Sequence, residues 1–366
     1  MKTQSTIRDA VRYVLWREGE PMKRADVQKG VETLLGHGVS SSSITSSLRL
    51  QAQNDNSPVR CTARGIYEYA LPFHKFGNSR LYNGDSLELL KDFPPNSINA
   101  VVTDPPYGLV EYEKKELSKL RRGHGGIWRI PPSLDGYTRS PLPRFTTLTD
   151  ADKEQLSLFF IQVGQELHRI VVPGANVAVA SNPLVCHIVT DALVKAGFEP
   201  RGQIIRLVQT MRGGDRPKGS EAEFHDVSVM PRSQWEPWVI VRKRFDGTAS
   251  RNLTEWGTGG WRRLSDDQPF GDVIKSSPTH ASEKAIAPHP SLKPQKFMRE
   301  LVRGSLPLGR GIVLDPFAGS GSTLAAAEAL GYESIGIERD LEYYRLAINA
   351  IPKLKELKPD WACRGC

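Results

Sequence analysis

The sequence predicts an α/β chain built on a doubly wound, mostly parallel sheet, with a small helical unit ahead of it. Three observations carry this. From Ser79 onward, short apolar runs rich in β-branched residues alternate with helix-period patterns. Residues 1–72 instead show helical period almost to their end. Residues 311–340 read strand, glycine-rich turn, helix, strand, with an acidic residue closing the second strand.

The amino-terminal pattern begins near Thr6 and places Ile7, Val11, Val14 and Leu15 on one face. Gly19-Glu20-Pro21 breaks it. A second pattern runs from Ala25 to Leu35 and stops at Gly36 and Gly38, and the serines at 40–43 are suited to cap a third, from about Ile44 to Gln53. Two β-like runs follow, Val59–Thr62 and Ile66–Leu71. Three helices and a hairpin are the order of a winged helix, a helix-turn-helix relative. Its third helix would carry Ser46, Ser47, Arg49, Gln51 and Gln53 toward phosphates or base edges. A winged helix that docks protein or dimerises is the other reading.

Beyond it, strand-like runs recur at Ala100–Val102, Val177–Val179, Ile204–Ile205, Trp238–Val241, Ile312–Leu314 and Ile335–Ile337. Helix patterns lie between them at Lys153–Ile170, Val185–Ala196 and Thr323–Leu330. Two stretches interrupt the alternation. Residues 108–148 show charges, Trp, Tyr, Pro and Gly but no strand, and 245–288 are rich in Gly, Ser, Pro, Arg and Trp. Loops this long are functional or disordered. Residues 353–366 read as a tail.

Composition bounds the partners. The 366 residues are 39% hydrophobic and 25% charged, a folded chain's balance. No apolar run approaches the ~18 residues of a membrane span, and the start lacks a signal peptide's apolar core, so a cytoplasmic protein without membrane contact is expected. The net charge of +8, from 49 Lys and Arg against 41 Asp and Glu, suits a polyanionic partner. Cys61, Cys186, Cys363 and Cys366 form no disulfide framework. Cys363 and Cys366 have the spacing of a zinc half-site without a second pair, so no metal is expected.

Two segments carry chemistry. In NAVVTDPPYG (99–108) an apolar strand ends abruptly at Asp104-Pro105-Pro106-Tyr107. Neither proline donates an N–H, so their carbonyls are pure acceptors. Asp104 Oδ and the Pro105 carbonyl can take the two hydrogens of an amine on a flat base, with Tyr107 stacked on its ring. In GIVLDPFAGSGSTLAAAEALGYESIGIERD (311–340), Gly319 and Gly321 let the backbone approach a ligand, and Glu338 is placed to accept from ribose hydroxyls. The third glycine of a dinucleotide turn is missing, with Leu324 in its place, so the close helix approach to a pyrophosphate is not expected. No Lys follows Gly321, which excludes a P-loop. Asp315 disfavours a pyrophosphate and tolerates a sulfonium cofactor that carries an ammonium.

Together these segments resemble the amino-methylating DNA methyltransferases, in which TDPPYG matches the catalytic motif and DPFAGSGST the cofactor motif. The catalytic motif standing first is similar to the permuted β class. HPSLKPQKFMRELV (289–302), with Lys293 and Pro294, looks like that class's helix segment ahead of the cofactor strand. The likeness covers roughly residues 80–350 and leaves out 1–72. It implies a circularly permuted, Rossmann-like methyltransferase sheet of about seven strands over 79–352. It also implies S-adenosylmethionine as cofactor and double-stranded DNA as substrate.

Residue by residue, the resemblance gives Asp104, Pro105, Pro106 and Tyr107 the flipped base. Asp315, Phe317, Ala318, Gly319, Ser320 and Gly321 surround the cofactor's methionine part, with Ser322 or Thr323 and Lys293 near its carboxylate and Glu338 on the ribose. Members commonly carry Asp before the prolines for adenine and Ser for cytosine N4. Asp104 thus points to adenine N6, with cytosine N4 the alternative. The class reads sequence in the region corresponding to 245–288, here with Arg251, Asn252, Trp256, Trp261, Arg262 and Arg263. In the loop 108–148, Lys114, Lys115, Lys119, Arg121, Arg122 and Arg129 suit phosphates and Trp128 the gap left by a flipped base. EKKELSKLRR reads equally as a solvated charged helix. A homodimer is a further class expectation. An RNA or protein-amide methyltransferase and an inactive DNA-binding regulator are the competing functions.

Overall fold

The structure, a computed structural model, describes residues 6–54, 57–106, 149–208, 214, 216–217 and 219–358, together with the backbone of two short paired strands at 133–134 and 137–138. Helix α1 (Ile7–Glu18) opens with a capping box between Thr6 and Asp9 and closes at Gly19, whose φ of 72° is left-handed. Strand β1 (Met22–Lys23), α2 (Arg24–Leu35), α3 (Ser41–Ala52), β2 (Val59–Ala63) and β3 (Ile66–Tyr69) complete the unit, its sheet ordered β1-β3-β2. Ser40 accepts from Ser43 N and caps α3, as the serine cluster predicts. The expected outward role of Gln51 is corrected. It is buried, and its amide donates to Arg8 O and Ser47 Oγ. Ser46, Arg49 and Gln53 face solvent.

The remaining elements in chain order are β4 (Phe73–Phe76), β5 (Ser79–Asn83), α4 (Ser86–Asp92), β6 (Ile98–Thr103), β7 (Ser133–Leu134), β8 (Tyr137–Thr138), α5 (Asp150–Ile170), β9 (Val171–Ala180), α6 (Cys186–Lys195), β10 (Glu199–Leu207) and β11 (Trp235–Arg242). Then come α7 (Ala249–Trp256), β12 (Val273–Lys275), α8 (Ala281–Ile286), α9 (Gln295–Ser305), β13 (Ile312–Asp315), α10 (Ser322–Ala329), β14 (Glu333–Glu338) and α11 (Leu341–Lys355). The paired β7 and β8 fall inside the stretch expected to hold no strand.

The large sheet has the order β12-β10-β11-β9-β6-β13-β14-β5-β4. It is mostly parallel, with β11 running against both its neighbours and β4 against β5. Two short edge strands, β4 and β12, extend it beyond the expected count. Three residues, as in β12, are too few to show a period. Val101, Val177 and Val239 on one face pack with Phe160, Leu167 and Val189 of α5 and α6. Val102, Ala178 and Trp238 on the other pack with Phe297 and Leu301 of α9 and Ala326 of α10. The sheet is therefore wound on both faces, and β6 is flanked by β9 and β13.

The amino-terminal unit packs against this sheet through α1. Trp16 is fully buried, its ring 5.5 Å from that of Phe93. The Arg80 guanidinium lies 5.0 Å over the Trp16 ring and donates to Trp16 O at 2.7 Å. Arg17 makes a two-pronged pair with Glu333, and Tyr69 donates to Asp92 O. All these partners stand at the amino-terminal ends of the parallel strands or on the chain entering them. Trp16→Ala should therefore cost about 3–5 kcal/mol of stability, because it empties a packed seam. Chemical denaturation of the full chain measures this; an unchanged midpoint would show that α1 is not part of the core.

Candidate active site

The carboxyl ends of β6 and β13 meet. Leu314 pairs with Val101 across them, so the chain leaving β6 at Asp104 runs beside the turn that leaves β13 after Asp315. Asp315 joins the two. It is 3% exposed, and its carboxylate accepts from Thr103 Oγ1 at 2.6 Å, Thr323 Oγ1 at 2.6 Å and Phe317 N at 3.0 Å. One side chain thus ties the catalytic strand, the turn and α10 together. Burial pushes Asp315 up to about 6, against the pull of its three hydrogen bonds.

Asp104 sits at the head of a line of alternating charges. Lys293 Nζ lies 2.7 Å from Asp104 and 3.5 Å from Glu236, and Arg206 lies 3.2 Å from Glu236. Trp238 Nε1 donates to Glu236 at 3.0 Å, and Arg206 donates to Ser276 Oγ and Ser277 O. Burial alone would lower the Lys293 pKa, yet the two carboxylates outweigh it and hold the ammonium above its ordinary value. Burial likewise opposes ionisation of Glu236, and Lys293 and Arg206 overcome it. Every charge in the line has a partner of opposite sign, which is what lets the line stay ionised out of water. The resemblance placed Lys293 at a cofactor carboxylate; here its ammonium is engaged by Asp104 and Glu236.

The glycine turn is built for close approach. Gly319 and Gly321 take φ of 52° and 85°. A Cβ on Gly319 would stand 3.2 Å from His289, and one on Gly321 would stand 2.4 Å from Ile351. Leu324 seats its side chain on Gly336 of β14, where a Cβ would stand 2.7 Å from Leu324 Cδ1. Glu338, closing β14, accepts from Gly319 N at 2.8 Å and Asp340 N at 2.7 Å and so braces the turn. An open cleft results, lined by Asp104, His289, Ser291, Lys293, Met298, Asp315, Phe317, Ala318, Gly319, Ser320, Ser322 and Thr323.

A family model for DNA methylases of the N6/N4 type matches residues 98–349, which hold this whole cleft. The chain belongs to that DNA methylase family. Among its relatives, the Type II methyltransferase M.HindIII of Haemophilus influenzae is 25% identical over 296 residues, covering 74% of this chain and 94% of the relative. The DNA adenine methyltransferase YhdJ of Escherichia coli is 26% identical over 296 residues, 76% of this chain and 84% of its own. The solved structure of TTHA0409 from Thermus thermophilus aligns over 75% of this chain and 95% of that one, at 21% identity and TM-score 0.48.

S-adenosylmethionine is the methyl donor of this family. The cleft of the methylase fits it: the left-handed Gly319 at its edge, the half-buried Phe317 as an apolar wall and the buried carboxylate of Asp315 beside a cationic group. His289, Ser291, Met298, Glu236 and Arg206 are site residues that sequence reasoning passed over. His289 and Ser291 stand inside the quoted HPSLKP segment, and Glu236 breaks the apolar run of β11, which was the available signal. Burial holds His289 below its ordinary pKa, and its ring meets Tyr343 edge-on at 4.3 Å.

The expected DNA-reading set of 245–288 is not brought to this cleft. Asn252 is 4% exposed, and its amide donates to Pro173 O and Thr258 O, filling the kink that Gly174 makes in β9. Arg262 donates to the Tyr332 hydroxyl at the entrance to β14, and Arg263 donates to Ser265 O and Asp266 O. Arg251 pairs loosely with Glu255. Trp261 stacks on Phe270, and Trp256 packs against the core. Asn252 and Arg262 thus stand at the amino ends of their strands, opposite Asp104, because the polypeptide has crossed the sheet after β11. Tyr107, Lys114, Lys115, Lys119, Arg121, Arg122, Trp128, Arg129, Cys363 and Cys366 lie outside the described residues.

Asp315 yields a pH test. Folding raises its carboxyl from 3.8 to about 6, so the folded chain holds that proton more tightly than the unfolded one. The stability it contributes is complete below about pH 4 and is lost as pH rises through about 6. Asp315→Asn carries no such proton. The variant's stability relative to the parent should rise by about 2 kcal/mol between pH 4 and pH 7 in urea denaturation. A difference flat in pH would show that Asp315 titrates normally.

Proposed function

We propose that this methylase transfers a methyl group to the N6 amine of an adenine flipped out of double-stranded DNA. The observation that carries the reading is the Asp104–Lys293 pair at 2.7 Å beside the cofactor turn. Held by Lys293, the Asp104 carboxylate accepts one amine hydrogen, while the Pro105 carbonyl takes the other. With both hydrogens held, the nitrogen lone pair faces the cleft. S-adenosylmethionine bound there supplies an electrophilic methyl group. Asp104 and the Pro105 carbonyl offset the positive charge that develops on nitrogen, and Asp104 is placed to take the surplus proton. A base within the duplex cannot reach this cleft, so it is extruded at a cost of a few kcal/mol.

Adenine is favoured over cytosine by Asp104 itself and by likeness to a relative named a DNA adenine methyltransferase. Asp104→Ala should lower methyl transfer by a factor of about a hundred to a thousand or more while sparing cofactor binding. Labelled-cofactor assays on DNA, RNA and protein, with calorimetry for the cofactor, measure both. Single-molecule sequencing of DNA from expressing cells then gives base and site, and N4-methylcytosine would replace the adenine reading.

The amino-terminal unit is proposed as a winged helix that adds phosphate contacts. Ser42, Ser46, Arg49 and the C-cap Gln53 recur along one solvent-facing side of α3, while Ile44, Leu48 and Gln51 are buried on the other. Fastened at the amino ends of the strands, it would meet DNA away from the extruded base. The lysines and arginines of 108–148 are proposed for the phosphates nearer the cleft. Arg49→Ala should weaken binding equally on all sequences and reduce the salt slope of affinity by about one unit. Unchanged affinity and slope would leave the unit a protein-docking module.

A further inference from the structure

Two polar atoms at the carboxyl end of β9 are buried with no hydrogen-bond partner among the described residues: Ser181 Oγ and Asn182 Nδ2. The residues are 2% and 1% exposed. Asn182 Oδ1 accepts from Leu184 N at 2.9 Å, which sets the amide's orientation and leaves its NH2 unengaged. A buried donor left unpaired is unfavourable, so its retention calls for an acceptor that arrives from outside.

The register shows where it would arrive. Thr103 of β6 stands opposite Val179 of β9 as their last pair, so Asp104 leaves β6 beside the end of β9 at Ala180, two residues ahead of Asn182. On the far side Trp238 of β11 stands opposite Ala180, and Ser181 N donates to Pro237 O, which brings Glu236 beside Asn182. Alternate residues share a face, and Val102, Ala178 and Trp238 share one core. Asp104 follows β6 directly and Asn182 follows β9 by two residues, so both stand at the carboxyl ends of these neighbouring strands. Neighbouring strands lie about 4.8 Å apart, within reach of one flat base spanning both.

We propose that Asn182 Nδ2 donates to the ring nitrogen next to the target amine, N1 of adenine. The inference rests on the base-methylation reading and deepens it. Asp104 needs an amine, and Asn182 needs an adjacent ring nitrogen with a free lone pair. Adenine and cytosine present that pair of groups; guanine and thymine present a carbonyl beside a ring N–H and meet both residues with the wrong sign. Ser181 Oγ, next to it and also without a partner among the described residues, marks the same end of β9 as built to meet a ligand.

The test uses the full chain and a duplex carrying its own methylation site, with adenine replaced by 1-deazaadenine (3-deazacytosine where sequencing finds cytosine). The parent protein should lose about tenfold or more in kcat/KM on the analogue. Asn182→Ala should lose a similar factor on normal DNA and nothing further on the analogue, with cofactor affinity unchanged. A parent protein indifferent to the analogue overturns the inference whether or not the variant folds, and so do two losses that simply multiply. A parent protein that labels no DNA at all overturns the DNA-methylation reading first and this inference with it.

Discussion

The carboxylate of Asp315, buried among Thr103, Thr323 and the Phe317 amide, is the contact on which the site depends. In this permuted order the catalytic strand comes early in the chain and the cofactor strand late, so nothing local holds them in register. The sheet brings β6 and β13 side by side, and the Thr103–Asp315 bond locks their ends. Such a bond is strong because water is excluded, and for the same reason the carboxyl resists ionisation. At neutral pH it remains mostly an anion, suited to a cationic cofactor.

A second constraint follows from the first. With Asp104 fixed beside a second buried carboxylate, the cleft would be anionic without compensation. Lys293 provides it, Glu236 holds Lys293, and Arg206 holds Glu236 in turn. The line draws on β11, β10 and the segment before α9, so the antiparallel insertion of β11 beside β9 is part of the chemistry as well as of the fold. Removing any one member would strand a charge in low dielectric.

The two ends of the sheet have different work. The carboxyl ends carry the ionised line, the glycine turn and the orphaned amide of Asn182. The amino ends carry packing: Asn252 in the β9 kink, Arg262 on Tyr332, and the Trp16–Arg80 seam of the amino-terminal unit. Within the segment rich in Arg, Asn and Trp, Asn252 and Arg262 therefore serve as buttresses, while Arg251 and Arg263 stay exposed. Composition reports which groups are present; burial decides whether a guanidinium meets phosphate or a neighbour's hydroxyl.

Much was legible without coordinates. The helices of the amino-terminal unit, the strands around Val101, Val313 and Ile335, and the turns after Asp104 and Asp315 all follow from patterns spanning a few residues, since caps, glycine conformations and side-chain period are local matters. Leu324 shows the limit: that its side chain is seated on Gly336 of the facing strand depends on packing across the sheet. The sequence by itself determined the elements, the turn after Asp104 and the glycine turn after Asp315. Only the tertiary structure decided that Lys293 faces Asp104, that Asn252 is spent on a kink, and that Asn182 lies beside the catalytic turn. These pairings depend on strand order and register, which are set by packing across the whole sheet and leave no mark in neighbouring residues.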